Sequence, residues 1–333
     1  MAITNFEVFA TRLRDENLDV RLKQTIAHEL CESLEYIQLQ DYSRFVALLW
    51  PVIRDLLVKM PPIFVSSAPE QIIQRIPHSE VFRPIVQEVV TTIMSLVRIE
   101  NEENAVVCLK IIYELHRMYR QVLESVALPF LSLATDIYRN TDQMLRAMDS
   151  AETPASLSTP NANLLSPSAM SPGPDTGDVA AKNLPKAMSS FKVLTEIPII
   201  VVSIIQTNRR HADSFVTNII PLILHMLELN PKSSMLHSDT AHQHWRSVHA
   251  DLITAQSKTL SFLAFFARGF TTQLLPSQDR IARLTLQLLC LCPSEATATR
   301  KEMLIATRHI VSTGIRKAFV PLADKFLDMN VLV

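Results

Sequence analysis

The sequence predicts an all-α protein in which pairs of helices stack side by side into an elongated solenoid. Three features of the 333 residues point to this class. Apolar residues make up 48% of the chain and recur at the three- and four-residue spacing of helix faces. Only four glycines occur, which disfavours tight β-hairpin turns and glycine-rich phosphate loops. Finally, an apolar segment centred on proline recurs along the chain.

Two thirteen-residue segments, 45–57 and 215–227, show the recurring pattern most clearly. Each is apolar at positions 1, 5, 8 and 12, which form one helix face, and again one position further on. Position 7 is proline in both, as Pro51 and Pro221. Because proline lacks an N–H group and clashes with the preceding turn, we expect each helix to be kinked there. Such wide apolar surfaces must be buried against neighbouring helices.

Weaker copies of this unit occur at 126–131 and 319–322. A helical unit that recurs in this way is typical of a repeat protein, because each copy is buried by its neighbours. About thirteen helices are predicted, or some six pairs, which fits the roughly 40-residue period of HEAT or armadillo repeats. They cover about residues 3–14, 18–38, 43–60, 69–76, 79–99, 102–122, 126–148, 189–207, 211–229, 242–268, 276–291, 294–314 and 316–328.

Local sequence signals set several of these boundaries. The polar step at 100–104 predicts a turn and a helix start, with Glu102 and Glu103 in the first turn, where carboxylates suit the helix dipole. Ser294 is a good N-cap residue for the helix that follows it. Pro61 and Pro62 end the third helix.

A polar segment divides the chain into two helical regions. Residues 1–149 are predicted to form N-terminal repeats, and residues 188–333 to form further repeats of an array that is truncated at its C-terminus. Between them, 150–187 is rich in Ser, Thr and Pro and is predicted to be a disordered linker, because it has too little apolar surface to offset its ordering entropy. Four Ser/Thr-Pro dipeptides in it are hypothetical phosphorylation sites, although such pairs are also common in disordered linkers. These sites are Thr153, Thr159, Ser166 and Ser171.

The overall charge and the cysteines exclude some classes of protein. A net charge of −1 and a pI near 6.8 disfavour direct nucleic-acid binding. The uncharged apolar run at 197–205 is about half the roughly 20 residues that a membrane span needs, so it is expected to be a buried helix. The four cysteines form no CxxC pair and, with no signal peptide visible, are expected to be reduced thiols in an intracellular protein.

Candidate catalytic and metal-binding residues are few. No phosphate-binding, nucleophile-elbow or kinase motif occurs, and nothing proposes an acid–base couple, so no catalytic residue, cofactor or metal is expected. Four histidines between His237 and His249 lack the cysteine or carboxylate that usually completes a zinc site, and we interpret them as solvated. Cys290 and Cys292 form a CxC, for which buried structural thiols are the simpler reading.

The segment YELHRMYR, residues 113–120, mixes basic and aromatic side chains. Its arginines fit acidic peptides, and its apolar groups fit the side chains of those peptides. The alternative is an ordinary amphipathic helix. The candidate partner-binding residues are Tyr113, Arg117, Met118, Tyr119 and Arg120.

Four long segments carry more than helical periodicity. They read ENEENAVVCLKIIYELHR (100–117), SSFKVLTEIPIIVV (189–202), DLITAQSKTLSFLAFFAR (251–268) and CPSEATATRKEMLIATRHIVST (292–313). In order and in register, they strongly resemble the TRRAP family, giant pseudokinases related to the phosphatidylinositol-3-kinase-like kinases. The resemblance covers nearly the whole chain, is fungal-like in detail, and places the chain at the family's extreme N-terminus.

The resemblance implies a HEAT-repeat part of a nuclear scaffold without kinase activity. It implies a subunit shared by SAGA-type and NuA-type histone acetyltransferase co-activator complexes, on which acidic activation domains of transcription factors dock. The alternatives are an assembly-only HEAT module without activator contacts and a nuclear-transport-type solenoid adaptor. The chain lacks the kinase-like region of the family, so an enzyme is the least favoured reading.

Overall fold

The computed structural model describes residues 6–33, 42–59, 82–119, 124–150, 186–230, 242–293 and 295–328. Within these ranges the structure is helical, and its extended backbone pairs only at an isolated bridge between Asn101 and Lys186. The α-helices are α1 (Phe6–Arg14), α2 (Val20–Ser33), α3 (Tyr42–Lys59), α4 (Arg83–Val97), α5 (Glu102–Met118), α6 (Glu124–Arg139), α7 (Thr141–Ser150), α8 (Phe191–Thr207), α9 (Ala212–Glu228), α10 (His242–Gly269), α11 (Gln278–Leu291) and α12 (Thr297–Val311).

Shorter helical turns complete the array. Single 3₁₀ turns at Ala187–Ser189, Arg209–His211 and Leu275–Ser277 precede α8, α9 and α11, and a four-residue helix, Thr271–Leu274, follows α10. After α12 come a 3₁₀ helix, Gly314–Leu322, and a short helix, Ala323–Phe326.

The helices from α5 onward form two layers. In layer A, α5, α8, α10 and α12 lie side by side, and each contacts the next. In layer B, α6, α9, α11 and the 3₁₀ helix Gly314–Leu322 do the same. Each repeat therefore contributes one helix to each layer and is buried by the repeats beside it, which is the architecture of a helical solenoid. The predicted fold class is confirmed.

The apolar stripes of the proline-centred unit are buried as predicted in α9. In α9, both apolar stripes of 215–227 lie against the core, and their residues are buried except Leu222, which is half-buried. Pro221 lies inside α9 and Pro51 inside α3, and Pro221 is on the exposed side. Proline is tolerated on that side because its missing N–H and its ring disturb the helix away from the packed core.

The array continues from one side of the predicted linker to the other. Helix α5, before the linker, packs against α8, after it, and α6 packs against α9. The Ala187 amide donates a hydrogen bond to the Glu100 carbonyl, with an N–O distance of 3.0 Å. The two helical regions are therefore stacked directly on each other. The predicted linker lies outside the described residues, apart from its first residue and its last two.

Two predicted helices differ in the structure. The helix expected at 126–148 is divided at Asn140 into α6 and α7. Asn140 Nδ2 donates to the Met188 carbonyl and Thr141 Oγ1 to the Tyr138 carbonyl, and such side-chain bonds compete with a continuous helix. The helix expected at 316–328 begins as a 3₁₀ helix, because Pro321 supplies no N–H to an α-helical ladder.

Other boundary predictions had mixed outcomes. Asn101, in the polar step at 100–104, caps α5 by accepting a hydrogen bond from the Asn104 amide, which confirms the predicted helix start. The helix predicted to follow Ser294 begins at Thr297 and has Ala296 at its N-cap position, so the predicted boundary is wrong, and Ser294 lies outside the described residues. The helix predicted at 69–76 lies outside the described residues.

Among the described residues, no single helix is long and apolar enough to cross a membrane. The segments Phe191–Thr207 and Arg209–Glu228 reach that length and composition only together, and the chain bends by 108° between them.

Candidate interaction surface

The outer surface of layer A mixes exposed charges with apolar side chains. Ile199 on α8 is 51% exposed and Ile305 on α12 is 43% exposed. Val202, also on α8, and Phe265, on the intervening helix α10, are half-buried. We call the solvent-facing side of α5, α8, α10 and α12 the layer-A face. Its apolar groups are unlike the fully polar exterior of an isolated amphipathic helix.

Ion pairs fix the register of the layer-A helices. Glu102 at the start of α5 accepts a hydrogen bond from Lys192 at the start of α8, at 2.9 Å. Lys258 of α10 donates to Glu302 of α12 at 2.8 Å. Between α10 and α12 the contacts advance together along both helices, from Lys258–Glu302 to Arg268–His309, so these two helices run in the same direction. Glu102 and Lys192 likewise bring the starts of α5 and α8 together, and the C-terminal ends of the layer-A helices lie along one edge of the array.

The predicted partner-binding residues lie at the C-terminal end of α5. Arg117 is exposed and pairs with Glu114 at 2.9 Å, so its charge is partly neutralised by its own helix. Tyr113 and Met118 are half-buried and pack against the core. Tyr119 is only 6% exposed, so it belongs to the core and does not contribute to a surface. Arg120 lies outside the described residues.

A buried polar junction was not found from the sequence. The Glu102 carboxylate accepts hydrogen bonds from Ser190 Oγ at 2.7 Å and from Lys192 Nζ. The hydrogen bond to Glu102 raises the pKa of Lys192. The Glu100 carboxylate accepts a hydrogen bond from Asn104 Nδ2 at 2.9 Å. Burial raises the pKa of the Glu100 carboxyl. The sequence signal was an acidic helix start, but its partners lie nearly ninety residues away along the chain.

The interpretation of the CxC as two buried thiols is right for Cys292 and wrong for Cys290, which is exposed. Cys108 is also buried, and burial raises the pKa of the Cys108 and Cys292 thiols, which disfavours the nucleophilic thiolate. Burial lowers the pKa of His249. The described residues contain no group of three or more His, Cys, Asp or Glu side chains that could hold a metal ion. His237 and the four predicted phosphorylation sites lie outside the described residues.

The fold and this surface define a HEAT-type helical solenoid with a mixed polar and apolar outer face. Comparison with known proteins agrees with this class. Residues 248–333 match a family model described as the Tra1 HEAT repeat central region.

Nearly the whole chain also aligns with much longer proteins. It is 30% identical over 346 residues to the transformation/transcription domain-associated protein of Danio rerio, with 98% of this chain and 9% of the relative covered. The human protein of the same name is 30% identical with the same coverage. The SAGA complex/NuA4 acetyltransferase complex subunit TRA1 of Saccharomyces cerevisiae is 27% identical, with 100% of this chain and 10% of the relative covered.

The chain belongs to the TRRAP family, whose fungal members carry the name Tra1. It spans about a tenth of the length of these relatives. The matched family model describes a central region, so the placement at the family's extreme N-terminus stays a prediction.

Proposed function

We propose that this chain is a non-catalytic scaffold segment of a nuclear transcription co-activator complex. The observation that carries the proposal is the continuous two-layer array, which presents the layer-A face over successive repeats. Extended surfaces of stacked helices are suited to binding other proteins. The names of the yeast relatives, subunits of SAGA and NuA4 acetyltransferase complexes, support membership of such complexes.

Within this role, the layer-A face docks acidic activation domains of transcription factors and neighbouring subunits. Arg117 attracts acidic side chains, and the half-buried Tyr113 and Met118 offer apolar contacts beside it.

Pull-down of the complex tests activator docking. Immobilised acidic activation domains are incubated with complexes that contain the wild-type chain or the Arg117→Glu variant. We expect the variant to retain less activator, because charge reversal replaces attraction by repulsion. Arg283→Glu is the matched control, since Arg283 is exposed on α11 in layer B. Equal retention by all three would remove Arg117 from the docking surface.

Crosslinking mass spectrometry of the same complexes separates docking from assembly alone. Crosslinks from the layer-A face to a bound activator support the proposed role. If lysines of this chain crosslink only to other subunits while activators crosslink elsewhere, the chain is an assembly module without activator contacts.

A further inference from the structure

The C-terminal ends of the layer-A helices lie along one edge of the solenoid, where the chain crosses from layer A to layer B. Lys192 of α8 interacts electrostatically with Asp251 of α10, so their equivalent turns are adjacent. Arg268, in the last turn of α10, donates a hydrogen bond to His309, in the last turn of α12. The crossings after α8, α10 and α12 are therefore neighbours.

This edge carries exposed cations at every crossing from α8 onward. Arg209 and Arg210 form the 3₁₀ turn after α8, and Arg268 ends α10. Arg308 is in the last turn of α12, and the 3₁₀ helix that follows carries Arg316 and Lys317. We call these six residues the basic edge. The net charge of −1 does not reveal this edge, because it sums the acidic and basic residues of the whole chain.

The charges of the basic edge are largely unneutralised. Within the described ranges, no ion pair involves Arg209, Arg210, Arg308, Arg316 or Lys317. By contrast, several arginines elsewhere pair with carboxylates of neighbouring helices. Examples are Arg54 with Glu88, Arg98 with Asp136 and Arg280 with Glu228. In the part of the chain that the structure describes, the edge therefore brings together five cations that no ion pair neutralises.

The pKa of His309 responds to the positive charge of this edge. Burial lowers the pKa of His309, and the adjacent charges of Arg268 and Arg308 lower it further. Asp213, three residues after Arg210 near the start of α9, accepts a hydrogen bond from Gln273 at 3.1 Å. Cations in the last turn of a helix also complement its dipole, which accounts for Arg268 and Arg308. It does not account for the four cations that lie in the 3₁₀ segments.

We propose that the basic edge binds an extended acidic polypeptide segment that also carries apolar side chains. This inference rests on the proposed scaffold role and places the docking site at the edge. Adjacent helices pack about 8–10 Å apart, so the three crossings, which are separated by two such spacings, span roughly 16–20 Å. An extended chain covers that span with about five to six residues at roughly 3.3 Å each, and a probe of about nine residues covers it with a margin at both ends.

Exposed apolar side chains beside the cations favour a polypeptide over a nucleic acid. Val311, in the last turn of α12, is 37% exposed, and Val320, in the 3₁₀ helix, is 70% exposed. The phosphate backbone of a nucleic acid forms no favourable contact with exposed valines. A peptide segment with alternating acidic and apolar residues contacts both the cations and the valines.

Fluorescence anisotropy with the full chain tests the basic edge. The probes are a labelled peptide of alternating Asp and Leu, about nine residues long, an all-Asp peptide of equal length and a short DNA duplex. We expect the Asp–Leu peptide to bind most tightly, and Arg209→Glu/Arg210→Glu to weaken it at least ~tenfold. Val320→Ser should weaken the Asp–Leu peptide and leave the all-Asp peptide unchanged.

The matched control is Arg283→Glu, on layer B, which should bind like wild type. Unchanged peptide binding by Arg209→Glu/Arg210→Glu would overturn the proposal, as would tighter binding of the DNA duplex than of either peptide. A circular dichroism spectrum like that of wild type establishes that each variant is folded. If complexes still capture activators while the edge variants bind the peptide normally, the edge assignment fails and the scaffold role stands. If complexes with the wild-type chain capture no activator in the pull-down, activator docking itself fails instead.

Discussion

The hydroxyl of Tyr138 on α6 lies 3.1 Å from the hydroxyl of Thr259 on α10, and both groups are buried. The two residues are 121 positions apart, on opposite sides of the predicted linker. The Tyr138 ring packs near Phe262, with ring centroids 6.4 Å apart, and Phe262 packs on Phe266 at 4.4 Å. Burial raises the pKa of Tyr138, so the phenol stays protonated. This polar pair therefore joins the two helical regions inside an aromatic cluster.

Tyr138→Phe is expected to destabilise the chain, because it leaves the buried Thr259 hydroxyl without this partner. The cost of an unsatisfied buried hydroxyl is about 1–3 kcal/mol. The urea midpoint of helix unfolding, followed by circular dichroism, measures it. Replacing both partners, as Tyr138→Phe/Thr259→Val, should recover part of the loss, since no unpaired hydroxyl then remains.

Tyr113→Phe is the control for the loss of a tyrosine hydroxyl, because Tyr113 is only half-buried on α5. Its midpoint should stay close to that of wild type. If Tyr138→Phe and Tyr113→Phe had equal midpoints, the buried hydrogen bond would contribute no specific stability.

Glu100→Gln is expected to change the pH dependence of stability. Burial raises the pKa of Glu100 above its usual value of 4.5, and Glu100 is only 2% exposed. The folded state therefore holds this proton to a higher pH than the unfolded state, and wild type loses stability as pH rises from 4.5 through the folded pKa. Glutamine does not titrate, so the stability of the variant relative to wild type should increase over that window.

Urea midpoints of both proteins from pH 4 to pH 7 measure this difference, in which the shared titration of other groups cancels. The Gln side chain keeps an oxygen for the hydrogen bond from Asn104. A constant difference in midpoint across the whole range would show that Glu100 has no raised pKa in the folded state.

Local sequence patterns were sufficient for the fold. The stripes of 215–227 and the polar step at 100–104 determine which face is buried and where a helix begins, and both depend on residues within a few turns of each other. The division at Asn140 was missed because its bond to the Met188 carbonyl comes from a segment 48 positions away. No periodicity within one helix reveals such a partner.

The candidate surface was less predictable for the same reason. The sequence predicted that Arg117 and Tyr119 both belong to a partner-binding surface. Tyr119 instead packs into the core where the chain leaves α5. The basic edge consists of short groups, such as Arg209 and Arg210, that are unremarkable one by one. Only the parallel stacking of the layer-A helices brings them to one edge.

Two prolines inside helices are expected to respond differently to replacement by alanine. Pro221 in α9 is exposed, whereas Pro198 in α8 is buried. Either change restores an N–H and a better helix former, but Pro198→Ala also removes buried methylenes, each of which contributes about 0.8 kcal/mol. Pro198→Ala should therefore be less stable than Pro221→Ala by about 1–2 kcal/mol in urea unfolding. The opposite order would mean that Pro221 stabilises the repeat through its ring.

Gly314→Ala tests the close packing between two successive crossings of the solenoid. A Cβ atom added at Gly314 would lie 2.9 Å from Thr271 Cγ2, closer than side-chain carbons approach. Thr271 Oγ1 donates to the Ala267 carbonyl at 2.7 Å, which holds that side chain in place. We expect a loss of about 1–3 kcal/mol in the free energy of unfolding, as for other overpacked sites.

Gly269→Ala is the matched control, because an added Cβ there meets no atom within 4 Å. It should keep or slightly raise the urea midpoint, since alanine reduces the entropy of the unfolded chain. Thr271→Ser removes Cγ2 and keeps the hydroxyl, so Gly314→Ala/Thr271→Ser should recover most of the lost stability. If Gly314→Ala were as stable as Gly269→Ala, or if Thr271→Ser gave no recovery, the two crossings would not be in the close contact that aligns the basic edge.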